Sequence, residues 1–246
     1  MYHVVGYHRP DSLSEALRLL ASSDRVALAG GVHLHHDGGA APAELVDLQS
    51  AGLDTVTVGA ESARLGATVR LQALADDQRL PEVIREAARS EQPSTLRSLA
   101  TLGGAIATAS GDSLLLAALL VHDAVIGLAS EQLGERTVML GDLLVEGRRP
   151  GELIIEVVVQ TSGTGAIART GRTPRDTPIV GVVGRRVPDR DGGSTKLALC
   201  GVGVRPALVE PGAVASVQSI DDHRATGAYR SHLAEVLTGR VLETLS

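Results

Sequence analysis

The chain has 246 residues, of which 43% are hydrophobic and only 1% aromatic, so its core must be built from aliphatic side chains and alanine. A formal charge of −6 at pH 7 argues against a nucleic acid partner, because binding phosphates requires a basic surface. The single cysteine, Cys200, excludes an internal disulfide, a cysteine-based zinc site and an iron–sulfur cluster held by this chain alone. No apolar run reaches about 18 residues, and the N-terminus shows no signal-peptide pattern, so we expect no membrane span and a cytoplasmic location.

The first fifty residues predict a strand, a helix and two more short strands. Ser12 and Glu15 form a capping box, and apolar residues follow it at helical spacing. Residues 25–29 are a short apolar strand that runs directly into Gly30 and Gly31. Residues 44–48 are a third apolar run, which we expect to lie parallel to the second.

The middle of the chain predicts a mixture of strands and helices. Alternating residues predict a hairpin of two strands, and apolar spacing predicts an amphipathic helix with Pro81 in its first turn. The full set is a hairpin at 55–59 and 63–67, helices at 69–74 and 80–88, a small-residue loop at 101–111, a buried helix or strand at 114–121, and strands at 124–129 and 153–160.

A cluster of Thr, Ser and Gly at 161–165 predicts a boundary before the C-terminal part. Beyond it, residues 179–183 and 196–204 predict antiparallel strands joined by a turn at 189–193. The last helix is expected at 229–245. Its apolar stripe is Leu233, Val236, Leu237, Val241 and Leu245.

Two glycine pairs indicate candidate anion-binding segments. Ala-Gly-Gly-Val stands at 29–32, after a strand, and Thr-Leu-Gly-Gly-Ala at 101–105. A glycine pair lets the backbone turn with its amides unshielded by Cβ, so that several N–H groups can point at one diphosphate. The alternative is that each pair is only a tight turn.

The order of these features resembles the FAD-binding (medium) subunit of the molybdenum hydroxylase family, of the carbon monoxide dehydrogenase and xanthine dehydrogenase type. The resemblance covers about residues 2–205. The segments that carry it are 7–17, 29–34, 45–48, 58–60 with 65–68, 97–107 and 172–180.

The resemblance implies an α+β fold, with a two-lobed PCMH-like FAD-binding domain followed by a small C-terminal α/β domain that contains an antiparallel sheet. The domains implied are a βαβ lobe at 1–54, a second α+β lobe at 55–162 and the C-terminal domain at 163–246. FAD would lie between the first two lobes.

The resemblance also implies the residues of the cofactor site. Carried over by position, they are Ala29, Gly30, Gly31, Val32, His33 and Leu34 on one side, with Thr101, Gly103, Gly104, Ala105 and Thr108 on the other. Asp112 is a loose match to an acidic residue of the family, and Arg169 falls where relatives can carry a lysine near the flavin. Val32 and Ala105 depart from the family's hydroxyl or amide residues, and each change removes a side-chain hydrogen bond that is worth about 1 kcal/mol.

The function implied is that of a relay subunit in which no side chain acts as general acid or base. Electrons would arrive from the two [2Fe-2S] clusters of a small subunit, after a molybdopterin-containing large subunit has oxidised the substrate, and would leave to NAD, a quinone or oxygen. Two alternatives are a degenerate member that has lost FAD and serves as a structural subunit, and a stand-alone flavoprotein oxidoreductase.

Other groups of residues are weaker candidates for a functional site. A metal site at His33, His35, His36 and Asp37 lacks a nameable fourth ligand and second shell, and lining of the cofactor cleft is the simpler explanation. The sequence has neither a nucleophile elbow nor a Gly-x-Gly-x-x-Gly dinucleotide motif. His122 and Asp123 are expected to mark a helix end, and Cys200 is expected to be a core residue.

Overall fold

The computed structural model describes residues 3–32, 42–171, 176–188 and 193–246. In this part of the chain the strands form three separate sheets. Each sheet takes its strands from one of the predicted ranges 1–54, 55–162 and 163–246, and the division into domains itself stays a prediction.

The N-terminal sheet is fully parallel. Its elements are β1 (His3–His8), α1 (Leu13–Leu20), β2 (Arg25–Leu28) and β3 (Pro42–Asp47), and the strand order is β1-β3-β2. The predicted parallel pairing of the second and third strands is confirmed. The helix begins as the capping box predicts, because the Ser12 hydroxyl accepts from the Glu15 amide at 3.2 Å, although the Glu15 carboxylate accepts from Asp11 N instead of Ser12 N.

The second sheet is antiparallel, in the order β4-β5-β8-β6-β7, with helices packed on it. Its elements are β4 (Val56–Val58), β5 (Ser62–Gly66), α2 (Leu71–Asp76), α3 (Glu82–Glu91), α4 (Ser94–Arg97), α5 (Leu102–Thr108), α6 (Leu114–Val121), β6 (Val125–Ser130), β7 (Gly134–Met139), α7 (Leu140–Glu146) and β8 (Leu153–Gln160). Every residue of α6 is buried, because α6 packs against α3 on one side and against the C-terminal sheet on another. An apolar helix with no polar face can be placed only in such a position.

The third sheet is also antiparallel, in the order β12-β11-β10-β9, with a long helix across it. Its elements are β9 (Thr164–Thr170), β10 (Val180–Val187), β11 (Ser194–Cys200), β12 (Ala207–Val209) and α8 (Gly227–Leu245). The predicted antiparallel strands are confirmed, and most of the predicted turn between them, residues 189–192, lies outside the described residues.

Two predictions about helices need correction. The segment 101–111, predicted as a loop, contains α5. The buried stripe of α8 includes Arg230 and Ala234, whereas Val236 is 38% exposed. Arg230 replaces an apolar residue there because its Nη1 atom donates to the Ile179 carbonyl at 2.8 Å and its guanidinium is paired with Asp222.

Candidate functional site

The first glycine pair lies in the turn that follows β2. Gly31 has φ +72°, a left-handed conformation that glycine adopts without strain. Gly30 lies directly against the segment before α5, since a Cβ at this position would be 1.9 Å from the Leu99 carbonyl oxygen. The first glycine segment therefore packs against the backbone that immediately precedes the second one, so the two lie close together, as their proposed role in one site requires.

The second glycine pair lies in the first turn of a helix and not in a loop. Thr101 is its N-cap, and the Thr101 hydroxyl accepts from Gly104 N at 3.2 Å. The amide of Leu102 donates to Val69 O at 2.9 Å and that of Gly103 to Ala67 O at 2.8 Å. These amides already have protein acceptors, so the prediction that both glycine pairs present free amides to a diphosphate is wrong for the second pair.

The first pair keeps this capacity. Counting only acceptors within the described ranges, the amides of Gly30, Gly31 and Val32 form no hydrogen bond to protein. Three consecutive amides without protein acceptors, next to a glycine in the left-handed region, are the arrangement that binds anions in backbone nests.

A cleft of about 660 Å³ lies between the N-terminal and second lobes, within the size range typical of ligand sites. Of the predicted site residues, those that line it are Ala29, Gly30, Gly31, Val32, Thr101, Gly103, Gly104 and Thr108. His33 and Leu34 lie outside the described residues, as does the alternative metal cluster of His33, His35, His36 and Asp37.

The other three predicted residues lie away from this cleft. Ala105 and Asp112 line a second, smaller cavity of about 340 Å³, where Asp112 forms a salt bridge of 2.6 Å with Arg224. Arg169 lies on β9, opposite Gly181. A loose sequence match carried Asp112 into the predicted site, and the ion pair with Arg224 gives that carboxylate a structural partner instead.

The cleft also contains residues that the sequence did not indicate. They lie in three places: just after β5, at the turn between β6 and β7, and in the loop before β8. In that order they are Thr68; Ser130, Glu131 and Gln132; and Arg148 and Glu152. The three segments that hold them, at 68, 130–132 and 148–152, are far apart in sequence and share no motif, so only the packing of the folded chain brings them together.

The charges on the wall formed by residues 148–152 favour an anionic ligand. Glu152 is buried, but Arg136 holds its carboxylate with two hydrogen bonds of 2.5 and 2.9 Å. These bonds lower the pKa of Glu152 and neutralise its charge. Arg148 donates to the Glu152 carbonyl at 2.6 Å and has no carboxylate within 4.0 Å among the described residues, so its positive charge is available to the cleft.

The cleft therefore passes a test of fit for a flavin dinucleotide. It offers unpaired backbone amides at Gly30 to Val32 and a cation at Arg148. No aromatic side chain is among the described residues that line it, so an isoalloxazine ring would contact aliphatic side chains and backbone.

Comparison with known proteins decides the family. A family model described as the FAD binding domain in molybdopterin dehydrogenase matches residues 3–160. The chain belongs to this family. Residues 3–160 are therefore an FAD-binding domain of an oxidoreductase family.

Solved structures with the same fold include carbon monoxide dehydrogenases and a quinoline 2-oxidoreductase. Carbon monoxide dehydrogenase from Hydrogenophaga pseudoflava matches with a TM-score of 0.90 and 21% identity, over 100% of this chain and 98% of that one. Reconstituted CO dehydrogenase from Oligotropha carboxidovorans matches with a TM-score of 0.88 and 22% identity, over 100% and 98%. Quinoline 2-oxidoreductase from Pseudomonas putida 86 matches with a TM-score of 0.84 and 20% identity, over 98% and 96%. These matches confirm the predicted fold class.

A curated relative of this FAD-binding domain is the uncharacterized protein YgfM of Escherichia coli K12, which is 32% identical over 169 residues. The match covers 67% of this chain and spans 64% of the relative's length. In the described residues, no helix is both long and apolar enough to traverse a bilayer.

The remaining polar groups that the sequence singled out have structural roles. His122 is the C-cap of α6, as predicted, and its Nδ1 atom lies 2.6 Å from the Gln160 carbonyl. Burial lowers the pKa of His122 to about 4, so the imidazole is neutral at pH 7. Asp123 pairs with Arg185 and Lys196, which tie the end of α6 to the C-terminal sheet. Cys200 is buried, as predicted for a core residue.

Proposed function

We propose that this chain is the FAD-binding electron-transfer subunit of a molybdopterin-dependent hydroxylase. In this assignment a partner large subunit with a molybdenum cofactor carries out the chemistry on the substrate. A partner small subunit passes electrons from its [2Fe-2S] clusters to this chain. The electrons leave to an external acceptor such as NAD, a quinone or oxygen.

The observation that carries the proposal is the cleft between the first two lobes. Both glycine segments line it, in a chain whose first 160 residues match the FAD-binding domain of this family. The solved structures of the same fold come from CO dehydrogenases and quinoline 2-oxidoreductase, which is why we extend the proposal to a multi-subunit oxidoreductase.

The roles proposed for this chain's residues are binding and orientation. The amides of Gly30 to Val32 and the guanidinium of Arg148 are placed to hold the diphosphate, and Gly103 and Gly104 keep α5 close to the cleft without side-chain bulk. When bound, FAD supplies the redox chemistry for which amino acid side chains have no equivalent. Within the described chain we assign no residue as general acid or base.

The simplest test is the visible spectrum of the purified protein. We expect flavin absorption bands as isolated, or after incubation with FAD and removal of the excess by gel filtration. The partner assignment is tested by affinity purification from the native host. Co-purification of a molybdenum-containing and an iron–sulfur subunit supports the relay. Isolation of the chain alone with retained diaphorase activity would instead support a stand-alone flavoprotein.

A second candidate function is a structural subunit that has lost its cofactor. Two observations favour it: the occupied amides of Leu102, Gly103 and Gly104, and the position of Ala105 outside the cleft. A colourless protein that takes up no FAD, yet co-purifies with the partner subunits, would establish this alternative.

The cytoplasmic location expected from the sequence belongs to the same proposal. A chain with one cysteine does not depend on an oxidising compartment for its fold, which suits assembly with cytoplasmic redox subunits.

A further inference from the structure

Arg70 lies between the two glycine segments of the cleft. Its backbone forms an isolated antiparallel bridge with Thr101, the N-cap residue of α5. Next to this bridge, the amide of Leu71 donates to the Ala100 carbonyl at 2.9 Å. The backbone of Arg70 is therefore fixed against the start of the second glycine segment.

The Arg70 side chain reaches the first glycine segment through one carbonyl group. Its Nη1 atom donates to the Leu99 carbonyl oxygen. A Cβ at Gly30 would be 1.9 Å from the same oxygen. The oxygen therefore lies within about 3.5 Å of the Gly30 Cα, because a carbon–carbon bond adds about 1.5 Å. One oxygen atom thus contacts both the Arg70 guanidinium and the backbone of Gly30.

By itself, this carbonyl would oppose the binding of an anion. The amides of Gly30, Gly31 and Val32 have no protein acceptor within the described ranges, which is why we assign the diphosphate to them. A carbonyl oxygen carries a partial negative charge, so it repels phosphate oxygens that approach the neighbouring amides.

The Arg70 guanidinium offsets this repulsion. It donates to the Leu99 oxygen and brings a full positive charge to it. In the part of the chain that the structure describes, no carboxylate lies within 4.0 Å of Arg70, so this charge is not neutralised by an ion pair.

We propose that Arg70 is a positioning residue of the FAD site. Its guanidinium neutralises the Leu99 carbonyl and so keeps the amides of Gly30 to Val32 attractive to the diphosphate of the cofactor. The inference rests on FAD binding in this cleft and adds a residue that is not among those that line it. Because the effect is electrostatic, it weakens as salt screens the charge.

Arg70→Met tests this role, because methionine keeps an unbranched apolar stem and removes the charge and the donors. FAD binding should weaken by about three- to tenfold, since a partly exposed cation near the diphosphate is lost. This loss should shrink as NaCl is raised from about 0.05 to 0.5 M, because the screening length falls to about 4 Å. Arg70→Lys, which keeps a positive charge and a donor, should bind FAD within about twofold of wild type.

Arg89 provides the matched control. It lies on α3 in the same lobe, and its guanidinium also donates to a backbone carbonyl, that of Ala75, at 2.5 Å. Neither residue is among those that line the cleft. Arg89→Met removes the same charge and the same kind of hydrogen bond as Arg70→Met. We expect it to leave FAD affinity and its salt dependence as in wild type, while both variants lower the thermal midpoint of the FAD-free protein by a similar small amount.

The experiment is a fluorescence titration of the FAD-free chain with FAD at several NaCl concentrations, for wild type and the three variants, with thermal unfolding of the same samples. Weaker binding by Arg70→Met that is recovered in Arg70→Lys and fades at high salt establishes the inference. Unchanged affinity of Arg70→Met would overturn it. A loss that is independent of salt and that Arg70→Lys does not recover would also overturn it, because Arg70 would then act by packing alone. If wild type binds no FAD at all, the proposed function itself fails, and this inference fails with it.

Discussion

Glu91 gives the chain a pH-dependent stability that can be worked out from its surroundings. The residue ends α3, and its carboxylate accepts from the Ser113 hydroxyl at 2.9 Å and from Leu115 N at 3.4 Å. Burial, reinforced by the nearby Asp112 carboxylate, raises the pKa of Glu91 from 4.5 to about 7. We expect Glu91→Gln to stabilise the protein above pH 7 and to have little effect near pH 4.

The sign and the size of this change in stability follow from the linkage between proton binding and folding. A carboxyl whose pKa is raised in the folded state binds its proton more tightly there than in the unfolded state. Its contribution to the free energy of unfolding is therefore complete below pH 4.5 and is lost as pH rises through about 7. At about 1.4 kcal/mol per pH unit, a rise in pKa from 4.5 to about 7 means that the ionised carboxyl costs at most about 3.5 kcal/mol above pH 7. The value is an upper bound because the adjoining cavity of about 340 Å³ can admit water.

The wild-type pH profile alone would be ambiguous because His122 acts in the opposite direction. Its pKa is lowered to about 4, so its contribution to stability is lost as pH falls from 6.5 towards 4. The useful quantity is the difference in free energy of unfolding between Glu91→Gln and wild type, in which the effect of His122 cancels.

The assay is urea unfolding followed by far-UV circular dichroism at several pH values from 4.5 to 8.5. The stabilisation by Glu91→Gln should grow across this range, because glutamine keeps an oxygen acceptor for Ser113 and Leu115 and cannot ionise. Glu86→Gln, on the exposed face of the same helix, is the control and should show no such growth. A difference for Glu91→Gln that stays constant with pH would refute the reasoning.

Two further predictions concern the glycines and the cysteine. Gly30→Ala should destabilise the protein by about 1–3 kcal/mol and abolish FAD binding, because its Cβ would be 1.9 Å from the Leu99 carbonyl oxygen. Gly104→Ala, whose Cβ would meet only the N-cap oxygen at 3.0 Å, should change stability by less than about 1 kcal/mol yet weaken FAD binding severalfold. Gly239→Ala is the control in both urea unfolding and FAD titration, because no atom lies within 4 Å of a Cβ at this position. If the Gly30→Ala and Gly239→Ala variants were equally stable, the close contact between Gly30 and Leu99 would be contradicted. Burial raises the pKa of the Cys200 thiol, so iodoacetamide should label the chain only in urea, and rapid labelling of the native protein would contradict this expectation.

Local patterns in the sequence predicted much of the fold, because the relevant contacts are close in sequence. The amphipathic spacing around residues 80–88 predicted α3, and its buried face is Val83, Ile84, Ala87 and Ala88 as expected. Alternation and turn residues similarly predicted the hairpin of β4 and β5.

The failures occurred where long-range packing decides. Two adjacent glycines argue against a helix by propensity, but the Thr101 cap and the burial of Leu102 and Ile106 outweigh that cost in α5. Position 103 requires glycine because Ala67 packs against it, since a Cβ there would be 2.9 Å from the Ala67 Cβ, and not because the chain turns there. The same residue pattern thus has a different physical origin in each glycine segment.

The candidate site shows the same division. The two glycine segments were visible in the sequence because each is a short contiguous motif. Arg148 was not, because its role depends on which backbone groups surround it after folding. The pairing of Asp112 with Arg224 joins residues 112 positions apart, and no local pattern indicates it.

The small apolar core of the N-terminal lobe includes Leu153, and Ile155 packs against it, although both belong to β8 of the second lobe. Ala16, Val46 and Leu48 therefore obtain part of their apolar cover from a strand more than a hundred positions further along the chain. During synthesis on the ribosome, this core can close only after residues up to Ile155 have left the exit tunnel. A fragment ending at residue 54 should accordingly stay unfolded by itself, because it lacks the apolar side chains that β8 adds to this core.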